Sequence, residues 1–226
     1  MFTDRRDAGL KLLKRLGQLD PENTVLLALP RGGLPVADVI ADALGVPLDV
    51  VFVRKVGVPG QPELAVAAVT DGKTPKITVN ADVARMAGLD HADIARLAER
   101  ELPEIHRRRK IYLNGRPHVS LAGKIVVVVD DGIATGATMR AALQLVRDAD
   151  PAQVIAAIPV GSAATIAALE DDCDEVICLE CPAEFRAVGR HYRDFGQVSD
   201  ATVAKIIERH AHRLTDSGRS HGDVMS

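Results

Sequence analysis

Short apolar runs alternate along this chain with segments in which apolar residues recur at the helical period. Apolar runs bounded by Gly, Pro or Asp are typical of strands buried on both faces of a parallel sheet, whereas the helical period predicts amphipathic helices. Strands are predicted at 25–29, 48–53, 64–69, 76–79, 125–129, 153–159 and 175–179, and helices at 4–19, 35–44, 90–102, 137–148 and 162–170. This alternation predicts an α/β fold with a doubly wound, mainly parallel sheet and right-handed crossovers.

Charged, helical sequence interrupts the alternation between the two halves of the sheet. Asp90 is placed to cap one helix of this segment, and Pro103 is expected to interrupt that helix. Just before it, a turn at 71–73 is predicted to join two short strands. Ser, Gly, His and Asp dominate the last residues, which is typical of disorder. The predicted organisation is a single domain at 1–213, with a helical insertion at 80–120, and a disordered tail at 214–226.

The net charge is −3, and 47% of the residues are hydrophobic and 26% charged, the balance of an ordinary globular protein. This charge gives no general attraction to nucleic acid or to anionic membranes, so neither is an expected partner. Residues 1–7 lack the apolar core of a signal peptide, and no apolar run approaches the ~18 residues of a membrane span. A cytoplasmic protein is therefore expected.

Three cysteines, Cys173, Cys178 and Cys181, are clustered. Cys178 and Cys181 have the spacing of half a zinc site, but no second Cys/His pair with ligand spacing follows nearby. We interpret them as ordinary thiols near a strand end. Their odd number argues against a disulfide framework in a reducing compartment.

The most informative segment, residues 125–138, reads IVVVVDDGIATGAT. Its β-branched residues predict a buried strand, and Asp130 and Asp131 come where that strand should end. Small and hydroxylated residues then lead into a helical pattern. Such a turn is an anion site, because backbone N–H groups face the ligand and Gly136 permits close approach. The carboxylates would repel a phosphate, but they suit sugar hydroxyls or a cation on the same ligand.

This segment closely resembles the phosphoribosyl diphosphate (PRPP) signature of the type I phosphoribosyltransferases. The resemblance implies that Asp130 and Asp131 hold the ribose 2′- and 3′-hydroxyls. It also implies Mg²⁺ on the pyrophosphate, for which the same two acids are the candidate protein ligands, directly or through water. The residues implied in binding the 5′-phosphate are Ala134, Thr135, Gly136, Ala137 and Thr138. The alternative is an ordinary strand–helix turn with two solvated acids and no ligand.

A second loop suited to PRPP contains Arg31, Gly32 and Gly33, directly after a predicted strand. A glycine pair lets backbone amides face an anion, and an arginine adds a bidentate phosphate donor. By the same resemblance these three residues form the pyrophosphate loop and are candidates for PRPP binding. Glycine pairs after strands are common, so the alternative is an ordinary turn.

Arg54 and Lys55 open a Gly/Pro-rich segment at 54–60, a composition typical of chain that moves without a packed core. The segment resembles the flexible catalytic loop of adenine and orotate phosphoribosyltransferases, where Arg and Lys cover the leaving pyrophosphate. Arg54 and Lys55 are therefore the candidate catalytic residues, because cations in a site that excludes water stabilise charge on a leaving group. The alternative is two solvated cations beside a turn.

Aromatic residues are concentrated after the last predicted strand, at Phe185, Tyr192 and Phe195. This segment resembles the base-recognition segment of the 6-oxopurine enzymes, from which only Phe185 can be carried over, as a ring that stacks on the base. With the N-terminal residues, 180–200 would form a small hood. The alternative is an aromatic plug over the edge of the core. Ala134 stands where the 6-oxopurine enzymes carry an acid, as in the adenine-type enzymes, which disfavours hypoxanthine and guanine.

The sequence therefore predicts a phosphoribosyltransferase that moves ribose 5-phosphate from PRPP to a nitrogenous base and releases pyrophosphate, with a homo-oligomer expected. The alternative is a PRPP-sensing regulator that binds RNA or DNA without turnover, through a basic run at 107–110 extended by Arg116. The net charge of −3 and the lack of aromatics among those cations oppose nucleic-acid binding. A PRPP phosphohydrolase ranks last, because no water-activating base is evident.

Overall fold

The computed structural model describes residues 1–71 and 75–216, without the side chains of residue 63 and of residues 212–216. Most of the turn predicted at 71–73, and residues 217–226 of the predicted tail, lie outside the described residues. No helix in the described part of the chain is both long and apolar enough to cross a membrane.

Strands and helices alternate along the described chain as follows. The strands are β1 Thr24–Ala28, β2 Leu48–Val50, β3 Val53–Val58, β4 Gln61–Thr70, β5 Ile77–Val79, β6 Ile125–Val129, β7 Gln153–Val160 and β8 Glu175–Glu180. The α-helices are α1 Arg5–Leu16, α2 Gly33–Leu44, α3 Ala81–Ala87, α4 His91–Glu99, α5 Leu102–Leu113, α6 Ala137–Arg147, α7 Ala163–Ala167 and α8 Asp200–Asp216.

Five parallel strands form the central sheet, in the order β2-β1-β6-β7-β8. Val127 and Val129 of β6 belong to the apolar cluster that includes α1 and α2, whereas Val126 and Val128 belong to the cluster that includes α6. All four valines are fully buried. Because consecutive side chains of a strand point to opposite faces, helices cover both faces of the sheet. The predicted α/β fold with a doubly wound parallel sheet is confirmed.

A second, antiparallel sheet consists of β3, β4 and β5. The single strand predicted at 48–53 is wrong, because β2 ends at Val50 and β3 begins at Val53. The loop predicted at 54–60 is instead mostly strand β3, which pairs with β4. Val53 and Val56 are buried there, and the strand preference of β-branched residues outweighs the glycines of the segment. The hairpin turn comes only at Gly60, whose φ is 82°.

The segment at 80–120 is helical as expected, but its helix boundaries differ from those predicted. Asp90 caps α4 through a hydrogen bond from the Asp93 backbone N–H, and α4 ends at Glu99. Pro103 lies in the first turn of α5, where a proline loses no intrahelical hydrogen bond, so it starts a helix instead of breaking one. At the other end of the chain α8 continues to Asp216, three residues into the predicted tail.

The two segments expected to form a hood contact each other. The Phe2 backbone N–H donates to the His191 carbonyl, and the Arg193 N–H donates to the Phe2 carbonyl, both at 2.8 Å. The Phe2 and Tyr192 rings lie 5.2 Å apart and pack on Val160 at the end of β7. This contact places the N-terminus beside the carboxyl edge of the sheet.

Candidate active site

The carboxyl ends of β1 and β6 lie side by side, since Ala28 pairs with Val129 in parallel register. From β1 the sheet continues to one side, through β2, and from β6 it continues to the other, through β7 and β8. Ligands of open α/β sheets bind in the crevice at such a switch point. The loop at 29–33 follows β1 and the paired acids follow β6, so the sheet brings together two of the segments that the sequence assigned to PRPP binding.

The turn between β6 and α6 has the geometry of an anion site. Gly136 adopts a φ of 74°, a left-handed conformation that favours glycine, and a β-carbon there would lie 2.8 Å from Thr165 Cγ2. Thr165 Oγ1 donates to the Ala134 carbonyl at 2.8 Å and so fixes the turn from α7. Gly136 is the N-cap of α6 and contributes no capping side chain. The N–H groups of the first helical turn are therefore available to an anion.

A pocket of about 170 Å³ opens on this turn. Its lining includes Lys55, Asp130 and Val188. The pocket also contains all five residues predicted to bind the 5′-phosphate: Ala134, Thr135, Gly136, Ala137 and Thr138. The N-terminus of α6, Lys55 and Asp130 thus line one small space.

The two acids after β6 have different surroundings. Asp130 lines the pocket, whereas Asp131 Oδ2 accepts a hydrogen bond from Arg5 Nε at 2.7 Å. Burial raises the pKa of Asp130 well above its usual range, and the charge of Asp131 raises it further. Burial also raises the pKa of Asp131, although Arg5 opposes this effect. Two crowded, desolvated carboxylates favour a ligand that supplies hydroxyl donors or a cation.

The predicted pyrophosphate loop packs against the same acids. A β-carbon at Gly32 would lie 2.0 Å from Asp131 Oδ2, and one at Gly33 would lie 2.5 Å from a backbone carbonyl of β6. Glycine is therefore required at both positions for the loop to approach β6. Arg31 Nη1 lies 3.8 Å from Asp200 Oδ1, and none of the three loop residues is among those that line the pocket at the β6–α6 turn. All three predicted residues of this loop are at the switch point.

Arg54 and Lys55, the two candidate catalytic residues, are adjacent in β3, so their side chains point to opposite faces of the strand. Lys55 lines the phosphate pocket. Arg54 points to the other face of the strand, where its guanidinium pairs with Glu101 at 2.7 Å. The structure therefore brings Lys55 to the site but not Arg54.

Phe185, the predicted base-stacking residue, lies in the hood and stacks on His191 with ring centroids 5.7 Å apart. It is not among the residues that line the phosphate pocket, whereas Val188 is. Val188 packs on Gly132, where a β-carbon would lie 2.5 Å from its side chain. The hood thus reaches the pocket through Val188, and the role of Phe185 stays a prediction.

Three residues at the site were missed by sequence reasoning. Arg5 lies at the start of α1 and Asp200 at the start of α8, both far along the chain from the acid motif. The Tyr192 hydroxyl donates to the backbone carbonyl of Asp131 at 2.5 Å. The concentration of aromatics around residue 190 was the only sequence signal for any of them.

The phosphoribosyl transferase domain family matches residues 10–193, a range that contains the predicted pyrophosphate loop, the paired acids and the turn before α6. The chain belongs to the phosphoribosyltransferase family. Its match to that family covers the whole central sheet and stops before α8.

Relatives of this phosphoribosyltransferase family member include proteins of Mycobacterium tuberculosis strains CDC 1551 and H37Rv, both provisionally named phosphoribosyl transferases. Each is 46% identical over 213 residues, which is 94% of this chain and 47% of the relative. The chain therefore spans about half their length. Among solved structures, the protein TT1426 from Thermus thermophilus is 42% identical, with a TM-score of 0.79 over 92% of this chain and 98% of that chain.

The donor chemistry at the pocket fits the Mg²⁺ that the family implies. Carboxylate oxygens are the hard ligands that Mg²⁺ prefers, and Asp130 offers them beside the phosphate turn. Asp131, the other predicted ligand, is instead paired with Arg5. One protein carboxylate leaves most of an octahedral shell to the ligand and water. Within the described residues, the one cluster of three candidate ligands lies elsewhere, at Asp38, Asp42 and His210, where Arg209 pairs with both carboxylates.

Three of the four cations in the basic run at 107–110, Arg107, Arg108 and Arg109, form ion pairs within the fold. Arg107 and Arg108 donate to Glu104, and these hydrogen bonds lower the pKa of Glu104 to about 2. Arg109 pairs at 3.1 Å with the carboxylate that follows β4. Arg116 donates to three backbone carbonyls. Arg107, through Asp200 of α8, and Arg109 thus join the insertion to the rest of the domain.

Proposed function

We propose that this protein transfers ribose 5-phosphate from PRPP to a nitrogenous base and releases pyrophosphate. The observation that carries the proposal is the pocket at the switch point, where a carboxylate, a lysine and the N-terminus of α6 converge. A phosphate ester, a ribose and a polyanionic leaving group are the parts of PRPP that these groups match.

Each group has a role in this proposal. The N–H groups of α6, with Thr135 and Thr138, hold the 5′-phosphate, and Asp130 accepts hydrogen bonds from ribose hydroxyls. Lys55 and Arg31 neutralise the leaving pyrophosphate, to which bound Mg²⁺ supplies further charge stabilisation. Because the transition state resembles an oxocarbenium ion, catalysis consists of positioning, charge neutralisation and exclusion of water.

The proposed acceptor is a nucleobase-like nitrogen nucleophile. Ala134 in the phosphate turn favours an adenine-type acceptor over hypoxanthine or guanine. Phe185 is the proposed stacking residue, and Val188 is the part of the hood that lines the pocket.

Turnover of radiolabelled PRPP against a panel of bases tests the proposal. The Asp130→Asn variant is expected to weaken PRPP binding by about two orders of magnitude, because a charged acceptor of the ribose hydroxyls is lost. The matched control is Asp82→Asn, since the side chain of Asp82 on α3 is 82% exposed. Equal PRPP affinity of wild type and Asp130→Asn in calorimetry with Mg²⁺ would contradict the ribose assignment.

The sensor alternative shares the PRPP pocket and differs in lacking turnover. Its proposed nucleic-acid surface would have to use cations of which Arg107, Arg108 and Arg109 already form ion pairs within the domain. PRPP binding without turnover of any base would favour this alternative.

A further inference from the structure

Asp131 is bound on both sides by protein, unlike Asp130. On one side Arg5 Nε donates to Asp131 Oδ2, and both side chains are nearly buried, at 12% and 13% exposure. On the other side the same oxygen rests on Gly32, where a β-carbon would lie 2.0 Å away. The Asp131 carboxylate is therefore wedged between α1 and the pyrophosphate loop.

Arg5 is itself held in place by three contacts. Besides Asp131, its Nη1 donates to the Gly196 carbonyl at 2.8 Å, and its guanidinium lies 4.0 Å from the centre of the Phe195 ring. A planar guanidinium that is stacked and bonded in two directions has one orientation. The Tyr192 hydroxyl then fixes the backbone of Asp131 from the hood.

We propose that Arg5 is a positioning residue that locks Asp131 against the pyrophosphate loop, so that Asp130 alone receives the ribose hydroxyls. This division of roles between Asp130 and Asp131 rests on the proposed function, because it assumes that the ligand is PRPP. Asp131 acts through Gly32 on the shape of the loop that carries Arg31. Asp130 acts directly on the ligand from the wall of the phosphate pocket.

Two fragments of PRPP separate these roles by calorimetry. Ribose 5-phosphate carries the hydroxyls without the pyrophosphate, and Mg²⁺-pyrophosphate carries the leaving group without the sugar. Asp130→Asn should weaken ribose 5-phosphate binding by about tenfold or more and change pyrophosphate affinity little. Arg5→Ala and Asp131→Asn should instead weaken binding of Mg²⁺-pyrophosphate and change the affinity for ribose 5-phosphate little.

A double variant and a charge-conserving variant distinguish a positioning role of Arg5 from general damage to the fold. The Arg5→Ala/Asp131→Asn double variant should bind Mg²⁺-pyrophosphate no more weakly than Arg5→Ala, because both changes remove one contact. Arg5→Lys, which keeps the charge, should recover part of the affinity even if Arg5→Ala folds poorly. Arg6→Ala, an exposed neighbour on α1, is the matched control and should bind both fragments like wild type.

Different outcomes would contradict the division of roles between Asp130 and Asp131 and the proposed function itself. If wild type binds PRPP but Asp131→Asn weakens ribose 5-phosphate as strongly as Asp130→Asn does, both acids hold the ribose and the division is wrong. If Arg5→Ala leaves pyrophosphate affinity unchanged, Arg5 has no positioning role. If wild type binds neither PRPP nor its fragments, the proposed function itself fails.

Discussion

At the scale of single residues, two features of Gly136 can be tested separately: its backbone conformation and its close contact with Thr165. Its left-handed φ of 74° would strain any other side chain, and a β-carbon would also lie 2.8 Å from Thr165. Gly123 has a similar φ of 68° but nothing within 4 Å of a β-carbon. Substitutions at Gly136 and at Gly123 therefore distinguish the effect of backbone strain from the effect of the close contact at the turn before α6.

We expect Gly123→Ala to cost about 1 kcal/mol of unfolding free energy, from the left-handed backbone alone. Gly136→Ala should cost more, because Thr165 must also shift, and it alone should weaken binding of inorganic phosphate. Urea unfolding and phosphate titration of both variants measure the two effects. Equal stability losses with unchanged phosphate affinity would show that the turn is not the phosphate site.

At the scale of elements, the strand geometry of β3 assigns different roles to two adjacent cations. A loop could have directed Arg54 and Lys55 to the same ligand, but alternate residues of a strand face opposite ways. Lys55 lines the phosphate pocket, and Arg54 pairs with Glu101 at the start of α5. The hairpin thus delivers one cation to the site and uses the other to hold the insertion.

The two alanine variants should therefore differ. Lys55→Ala should lower kcat by about 10²–10³, the loss typical of one charge-stabilising donor, with a smaller effect on PRPP affinity. Arg54→Ala should leave kcat nearly unchanged and cost up to about 1 kcal/mol of stability, because its ion pair is partly exposed. Steady-state kinetics and urea unfolding check both. Equal losses of kcat would show that both cations reach the leaving group.

At the scale of the whole molecule, His118 links three parts of the fold. It lies near the end of the helical insertion at 80–120. Its Nδ1 lies 3.0 Å from Asp49 of β2, and its Nε2 lies 3.8 Å from Asp71 after β4. Hydrogen bonding to Asp49, then to Asp71, raises the pKa of His118 to about 9 from an ordinary 6.5, although nearby Arg109 opposes this. The protonated ring holds the insertion and the hairpin on the edge of the sheet.

Because the folded pKa lies above the unfolded value, this stabilisation is complete below about pH 6.5 and is lost as pH rises through 9. We expect the free energy of unfolding to fall by on the order of 1 kcal/mol across that window, a value reduced for solvent screening because the ring is 36% exposed. Urea unfolding between about pH 6 and pH 9.5 measures it. His118→Gln should flatten this part of the profile, and an unchanged profile would contradict the linkage.

The parallel sheet and the phosphate turn could be predicted from sequence because their determinants are local. The β-branched run of β6, the glycine at position 136 and the helical period after it lie within one short stretch. The β3–β4 hairpin was harder to predict, because the glycines and the proline of 54–60 suggested a loop while Val53 and Val56 favoured a strand. The packing of β3 on β4 decided that conflict.

By itself the sequence determined the fold class, the position of the paired acids and the glycine turn before α6, because hydrophobic period and turn chemistry act between near neighbours. Only the tertiary structure decided that Asp130 faces the pocket while Asp131 faces Arg5, and that Arg107 and Arg109 pair with Asp200 and Asp71. Those contacts join residues far apart in the chain. Their partners depend on how strands and helices are ordered in space, which no local pattern specifies.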